Sequence, residues 1–328
     1  TAVSDDLSGL AWNPAGLAMT QTVDIRIVGT LQGVDRLGVR DTLNDIKNFS
    51  GTDAAAAQDL ANRINQGTLS AAAAGGLYFK GHVGEHAFGF NVSDVATGGA
   101  FVDPSRRFAV SGTNVQGTFL LRGLEARQAA FSYAYAFADK TFSIGVTAKA
   151  IQGAAYAGSA TVTGGQDITL TDSLGKAKLT SAFSVDVGAI YRPASWLRFG
   201  IVAKDLTQPE FDAPDGTKYK MLPQVRGGVA VNPYSSLTLT ADMDVTSNKT
   251  FVPGIKSQVL SVGAEQTILN EFLSLRVGAF KNVQDAASTI TPTAGIGLRV
   301  FALRVDIGGG YDFRERGALA SGSVSLTF

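Results

Sequence analysis

Ser323-Val324-Ser325-Leu326-Thr327-Phe328, the last six residues of the sequence, alternate strictly between polar and apolar. A side-chain period of two puts Val324, Leu326 and Phe328 on one face of a strand and the hydroxyl residues on the other. A strand that is greasy on one face only, and ends on an aromatic, suits a wall between lipid and water.

The same alternation continues upstream. Leu303, Val305 and Ile307 oppose Arg304 and Asp306, in a strand from about Phe301 to Tyr311 that a polar segment, Asp312 to Gly317, separates from the last one. Thr293 to Val300 reads as another, joined by a tight turn at Phe301-Ala302. Leu273, Leu275 and Val277 oppose Ser274 and Arg276, and Leu260, Val262 and Ala264 oppose Ser261, Gly263 and Glu265, with Leu269-Asn270 as a short connection. Leu237 to Val245 sets apolar residues against Thr238, Thr240, Asp242 and Asp244, and Val225, Val229 and Val231 oppose Gln224 and Arg226 before a turn at Asn232-Pro233-Tyr234. Leu197, Phe199 and Ile201 oppose Arg198 and Lys204, and Phe183 to Ala189 opposes Ser184 and Asp186, with Arg192-Pro193-Ala194 between them. Further strands are expected at about 141–151, 126–137, 86–93, 73–80 and 23–31, for a total of about fourteen.

Short turns alternate with long connections, 32–70, 94–125, 152–179, 205–221 and 246–255. That asymmetry and an even count are what a single-chain bacterial barrel with tight periplasmic turns and long extracellular loops requires. The expected fold is therefore all-β: a transmembrane antiparallel β-barrel over 23–328, with residues 1–22 before it as a separate N-terminal segment. Tyr191, Trp196, Phe199, Tyr234, Phe272, Phe301 and Phe328 gather near the tight turns, as an interfacial girdle would. A propeller would need a repeated motif, and none is found. A β-sandwich seldom reaches this length as one domain.

Composition agrees. Lys+Arg 28 against Asp+Glu 28 in 328 residues gives no net charge and removes the electrostatic case for nucleic acid as partner. Cys 0 excludes disulfides, thiolate metal sites and cysteine nucleophiles, and only His82 and His86 are present, so neither a metal nor a cofactor is expected. A mean hydropathy of only +0.12 fits a wall greasy on one side. No apolar stretch reaches the roughly eighteen residues of a spanning helix. Thr1 opens no signal peptide, and the barrel reading expects one to have been removed. The ending Val324, Leu326, Phe328 is similar to the signal by which bacterial outer-membrane barrels are recognised. It implies the bacterial outer membrane as address, with outer-membrane lipid and, through Phe328, the barrel-assembly machinery as partners.

A barrel of this size is too wide for its wall side chains to fill, so its lumen is open or plugged. Asp5-Asp6-Leu7-Ser8-Gly9-Leu10-Ala11-Trp12-Asn13-Pro14-Ala15-Gly16-Leu17-Ala18 is too apolar and too rich in turn formers for a solvated tail, and Asn13-Pro14 is a turn starter. The stretch Ala2 to Ala18 resembles the N-terminal signature of the FadL-type superfamily of outer-membrane barrels: long-chain fatty-acid transporters, PorV-like shuttle proteins and TraF-like conjugal-transfer barrels. Asn13, Pro14 and Ala15 carry the match, with Gly16 beside them. The resemblance implies a hatch folded into the lumen and passage of hydrophobic small molecules. The shuttle relatives imply instead a docking or scaffold subunit with a protein partner.

Alternation turns Asp24, Arg26, Lys149, Asp186, Arg198, Lys204, Arg226, Asp242, Asp244, Glu265, Arg276, Arg299, Arg304 and Asp306 inward, which departs from an apolar fatty-acid lining. Both signs occur, so they form ion pairs that hold a plug or a polar path. In the first long loop Asp41 or Thr42 can cap a short helix carrying Leu43 and Ile46. Thr52 or Asp53 can cap a second, through Ala54 to Asn65, carrying Leu60 and Ile64 and stopped by Gly67. Leu43, Ile46, Leu60 and Ile64 are candidates for a ligand groove, or else pack as a lid. Gly98-Gly99 could kink the wall and open a lateral gap. Ser173 and Lys176 have the spacing of a serine/lysine nucleophile pair but lack its companion motifs, so no catalytic residue and no enzymatic activity is expected.

Overall fold

The computed structural model describes residues 1–3, 7–166, 170, 173–250, 255–286 and 288–328. Fourteen strands form the wall: β1 (Asp24–Arg36), β2 (Thr68–Val83), β3 (His86–Val102), β4 (Asn114–Phe137), β5 (Phe142–Thr163), β6 (Lys178–Ala194), β7 (Leu197–Lys204), β8 (Gln224–Tyr234), β9 (Leu237–Asp244), β10 (Val259–Ile268), β11 (Leu273–Asn282), β12 (Thr291–Val300), β13 (Leu303–Asp312) and β14 (Gly317–Thr327). Each pairs antiparallel with its neighbours in sequence, and β1 closes on β14 in register from Asp24↔Thr327 to Val34↔Gly317. Val23 and Phe328 extend that seam by exchanging backbone hydrogen bonds of 3.0 and 2.9 Å.

The outward positions are apolar and open. Ile27, Leu77, Val92, Phe131, Val277 and Ile307 are all more than half exposed, while the inward neighbours Asp24 and Lys80 are buried. Such a continuous apolar belt on a soluble protein would be an aggregation surface, and on a closed barrel it is the lipid-facing band. On β3 the belt runs Phe88, Phe90, Val92 and then gives way to Asp94, which Arg127 of β4 meets at 3.4 Å while also pairing with Glu125 at 2.6 Å. Those charges mark the outer edge of the membrane.

The wall is much taller on one side. β4 has 24 residues, a ribbon of roughly 80 Å at the usual rise, of which a tilted crossing needs about a third. β7 and β9 have eight residues each, a bare crossing. The alternation in sequence stops short of these extensions. β3 runs to Val102 rather than Ser93, β4 starts at Asn114 rather than Ala126, and β5 continues to Thr163. Above the lipid neither face must be greasy, so the period of two fades while the hydrogen-bond ladder continues. Gly98 and Gly99 lie in that extension and open no gap: Gly98 pairs with Ala71 and Gly123, and Gly99 with Ser70 and Arg122. Two tight turns also fall later than expected, because β6 and β8 run on through bulges to Ala194 and Tyr234.

Two helices, α1 (Val39–Lys47) and α2 (Ala54–Ile64), fold against the tall extension. α1 starts before Asp41 and Thr42: its N-cap is Gly38, whose φ of 69° suits glycine. Asp53 caps α2, accepting from the amides of Ala55 at 2.8 Å and Ala56 at 3.2 Å. Ile46, Leu60 and Ile64 are buried against Phe108, Val115, Phe119 and Val162, with Leu43 at the edge. Each such burial stabilises by roughly 1.5–3 kcal/mol. The expected ligand groove is therefore filled by this chain's own side chains. Asp53→Ala should weaken α2 by about 1 kcal/mol, seen as faster protease cleavage of the cap at an unchanged melting temperature of the barrel.

A hairpin from the β7–β8 loop, Glu210–Asp212 with Lys218–Lys220, folds onto the inward face of β4 and β5, where Phe211 and Tyr219 join Leu124, Ile151 and Ala155. Burial pushes the Tyr219 phenol up to about 12, so it stays protonated and donates to the Tyr156 carbonyl at 2.8 Å.

Candidate functional site

The N-terminal segment lies inside the lumen against β3 to β7. Asp5 and Asp6 lie outside the described residues. Leu7–Leu10 and Pro14–Met19 form short 3₁₀ helices, the second with proline in its first turn and Asn13 as N-cap. Asn13 is fully buried and satisfied on both sides. Its Oδ1 accepts from the Ala15 amide at 3.2 Å, and its Nδ2 donates to the wall carbonyls of Ala189 at 3.2 Å and Ile201 at 3.3 Å. One side chain thus sets the turn and fixes it to two strands.

The wall is shaped to receive this turn. A Cβ on Gly188 would sit 2.0 Å from Asn13 Oδ1, and one on Gly145 would sit 2.5 Å from the Ala15 nitrogen. The two glycines are register partners on β5 and β6. Beside them Ser143 Oγ donates to the Ala15 carbonyl at 2.7 Å, and Lys204 Nζ donates to the Ala11 carbonyl at 2.9 Å. Leu10, Leu17 and Ala18 pack on Ala87, Ala134 and Ala136, and Met19 and Ala15 on Ile190. At the far end the wholly buried Lys80 donates to the Thr20 carbonyl at 3.1 Å, to the Thr20 hydroxyl and to the Thr22 hydroxyl at 3.2 Å, with Asp24 at 3.9 Å.

The inward charges sort into local groups. Lys149 lies 2.5 Å from Asp205 and 2.7 Å from Asp186. Arg226 pairs with Asp244 at 2.6 Å, and Asp242 pairs with the Thr1 amino group at 2.7 Å. Arg276 bridges Glu265 and, at 2.8 Å, Asp306, which Arg304 meets at 3.1 Å. Arg198 donates to the Asn232 side chain at 3.0 Å, and Arg26 lines the lumen cavity. Arg299 belongs elsewhere: it pairs with Glu271 at 2.6 Å beside the β10–β11 turn and is partly exposed, so it is a rim residue. His82 and His86 point to opposite faces of the wall, with His86 2.8 Å from the Tyr133 hydroxyl. The Ser173 carbonyl packs onto β5, 2.1 Å from where a Gly158 Cβ would stand.

Sequence reasoning missed Lys80, Asp205, Ser143 and the two seat glycines. Parity on the strands holds the signal for three of them. Lys80 alternates with Leu77 and Phe79 between Tyr78 and His82, and Gly145 and Gly188 stand at inward positions between polar or apolar side chains of the same face.

Between the N-terminal segment and the wall of β8 to β14 and β1 lies a cavity of about 720 Å³. Its lining includes Trp12 and Tyr78, the ion-paired Arg226, Glu265, Arg276 and Asp306, and a wall of short residues such as Thr240, Ser261, Thr293 and Ser321.

A closed antiparallel barrel with a lipid-facing belt and its own N-terminal segment seated in the lumen defines a plugged transmembrane β-barrel. The chain belongs to the family described as "F plasmid transfer operon, TraF, protein", whose model matches residues 11–244. No curated protein sequence matches it. The fold is that of the FadL-type barrels. The monoaromatic hydrocarbon channel CymD superposes with a TM-score of 0.61 at 13% identity, covering 99% of this chain and 93% of that one. The Ralstonia pickettii toluene transporter TbuX gives 0.57 at 13%, covering 98% and 93%. A Pseudomonas aeruginosa FadL homologue gives 0.59 at 11%, covering 99% and 94%.

Proposed function

We propose that this chain is a bacterial outer-membrane barrel for the passive entry of small, largely apolar molecules, with residues 1–22 as the hatch. The observation that carries this reading is the lumen: a plug seated by glycine contacts and backbone hydrogen bonds, facing a cavity the size of a small-molecule site. The fold shared with hydrocarbon channels supports the same reading. Outer-membrane lipid and, through Phe328, the assembly machinery are the partners this placement calls for. The test is initial entry of labelled toluene and decanoate into de-energised Gram-negative cells that lack their own channel of this type. Entry above the empty-vector rate is expected. A rate equal to the vector's, with folded protein in the outer membrane, overturns the proposal.

A second reading is favoured by one observation, the ridge of β3 to β5 that carries α1 and α2 well clear of the lipid. It suits a docking subunit of a surface, secretion or conjugation complex. Stoichiometric co-purification of a partner that is lost on deleting residues 39–66, with no entry activity, would favour it.

A further inference from the structure

We infer that the lumen cavity takes a flat ring bearing hydroxyl groups, stacked on the indole of Trp12. This rests on the small-molecule reading above and narrows its ligand. Leu10, Leu17 and Met19 of the plug are covered by the wall, at 7%, 0% and 5% exposed. Trp12 is 51% exposed although it sits inside the barrel, and it borders the 720 Å³ cavity. The Arg226 guanidinium stands 5.5 Å from its ring centroid and is held there by Asp244 at 2.6 Å. A cation anchored beside an indole fixes the ring and leaves its remaining surface to the cavity. An apolar plane kept open at such a place is a stacking surface for another ring.

The far side of the cavity decides what kind of ring. Thr240, Ser261, Thr293 and Ser321 face it with hydroxyls on short side chains, flanked by the Glu265–Arg276–Asp306 ion pairs. Thr240 and Ser261 already donate to the wall carbonyls of Gly263 at 3.4 Å and Asp242 at 3.5 Å. A pure hydrocarbon would strip the hydroxyls of Thr293 and Ser321 of water and return nothing, which costs about 1–3 kcal/mol for each group left unpaired. A ring with its own hydroxyls replaces the water it displaces. Phenols have that chemistry, a flat apolar face with a hydrogen-bonding edge, whereas a pyranoside is puckered and polar around its whole rim.

The experiment is calorimetric titration of the purified full chain with p-cresol, methyl glucopyranoside and toluene. p-Cresol should bind saturably and more tightly than either toluene or the pyranoside. Trp12→Phe should weaken it about three- to tenfold. Thr293→Val with Ser321→Ala, which leaves the plug untouched, should weaken the same ligand about tenfold and tighten toluene, which no longer strips those hydroxyls of water. Trp196, the only other tryptophan, is removed by Trp196→Phe. In that chain the hydroxylated ring should change indole emission excited at the red edge, where phenols do not absorb. Toluene or the pyranoside binding as tightly as p-cresol, or no saturable binding to folded barrel, overturns the inference. Entry that persists in cells without such binding sinks the ring site and spares the channel, whereas binding without entry does the reverse.

Discussion

Lys149→Met should cost the barrel about 3–5 kcal/mol, because it removes the cation in direct contact with two buried carboxylates. Lys149 and Asp205 approach to 2.5 Å, Lys149 and Asp186 to 2.7 Å, with all three side chains 7–8% exposed. Ser184 donates to Asp205 at 3.2 Å, and the Asp205 amide donates to Asp186 at 2.9 Å. Without the ammonium, two carboxylates face each other in a space that water enters poorly, with only the more distant Lys204 ammonium to offset them. The location magnifies the effect. Asp205 is the residue at which β7 stops and the chain turns away with a φ of 55°, toward the hairpin that carries Phe211 into the outer lumen. Losing the pin should therefore loosen that hairpin as well as the wall. The check is the guanidinium midpoint in detergent together with protease cleavage between residues 205 and 221. Adding Asp186→Asn and Asp205→Asn to Lys149→Met should recover part of the loss, since neutral amides at the same sites carry no unpaired charge. A midpoint unchanged by Lys149→Met would mean that the cluster is hydrated.

What was legible in the sequence follows from where physics constrains it. Inside the membrane one face must be apolar, so residues such as Val305 and Arg304 reveal strand, parity and turn. Above it that constraint vanishes, and Phe119 and Val162 lay in segments that read as loops. They are the partners of Leu60 and Ile64, and without them the apolar stripe of α2 looked like a groove awaiting a ligand. The N-cap of α2 was legible because Asp53 acts on its own neighbours; the cap of α1 was not, because Gly38 works through backbone conformation alone. Inward charges could be enumerated by parity, yet pairing depends on register and bulges, so Asp205 passed as the start of a loop and Arg299 as a lumen residue. Asn13-Pro14 signalled a turn, but the surface that receives it is two glycines more than 130 positions downstream.

Those glycines give the strongest test of the plug. Gly188→Val should unseat residues 11–19, because its Cβ alone would come within 2.0 Å of Asn13 Oδ1, and Gly145→Val should do the same through the Pro14–Ala15 backbone. Neither side of either contact yields easily. Asn13 is held by three hydrogen bonds and both glycines by strand pairing. Overpacking of this kind costs about 1–3 kcal/mol, which raises the unseated fraction by roughly five- to 150-fold. The chain has no cysteine, so Ala18→Cys introduces a single thiol, buried beneath Ala87 and Ala134 while the plug is seated. Its maleimide labelling should be slow in the parent and at least about fivefold faster with Gly188→Val. Gly29→Val is the control, a strand glycine on β1 with nothing within 4 Å of the added carbon, and it should leave labelling unchanged. Slow labelling in both glycine-seat variants, with the barrel folded, would show that the wall yields and that these glycines do not hold the plug. The same variants separate the two functional readings. If the segment is a hatch, entry of toluene into cells should rise in step with labelling. If the barrel is a docking subunit, labelling should rise alone, because unseating a structural plug exposes Ala18 without opening a route that any ligand uses.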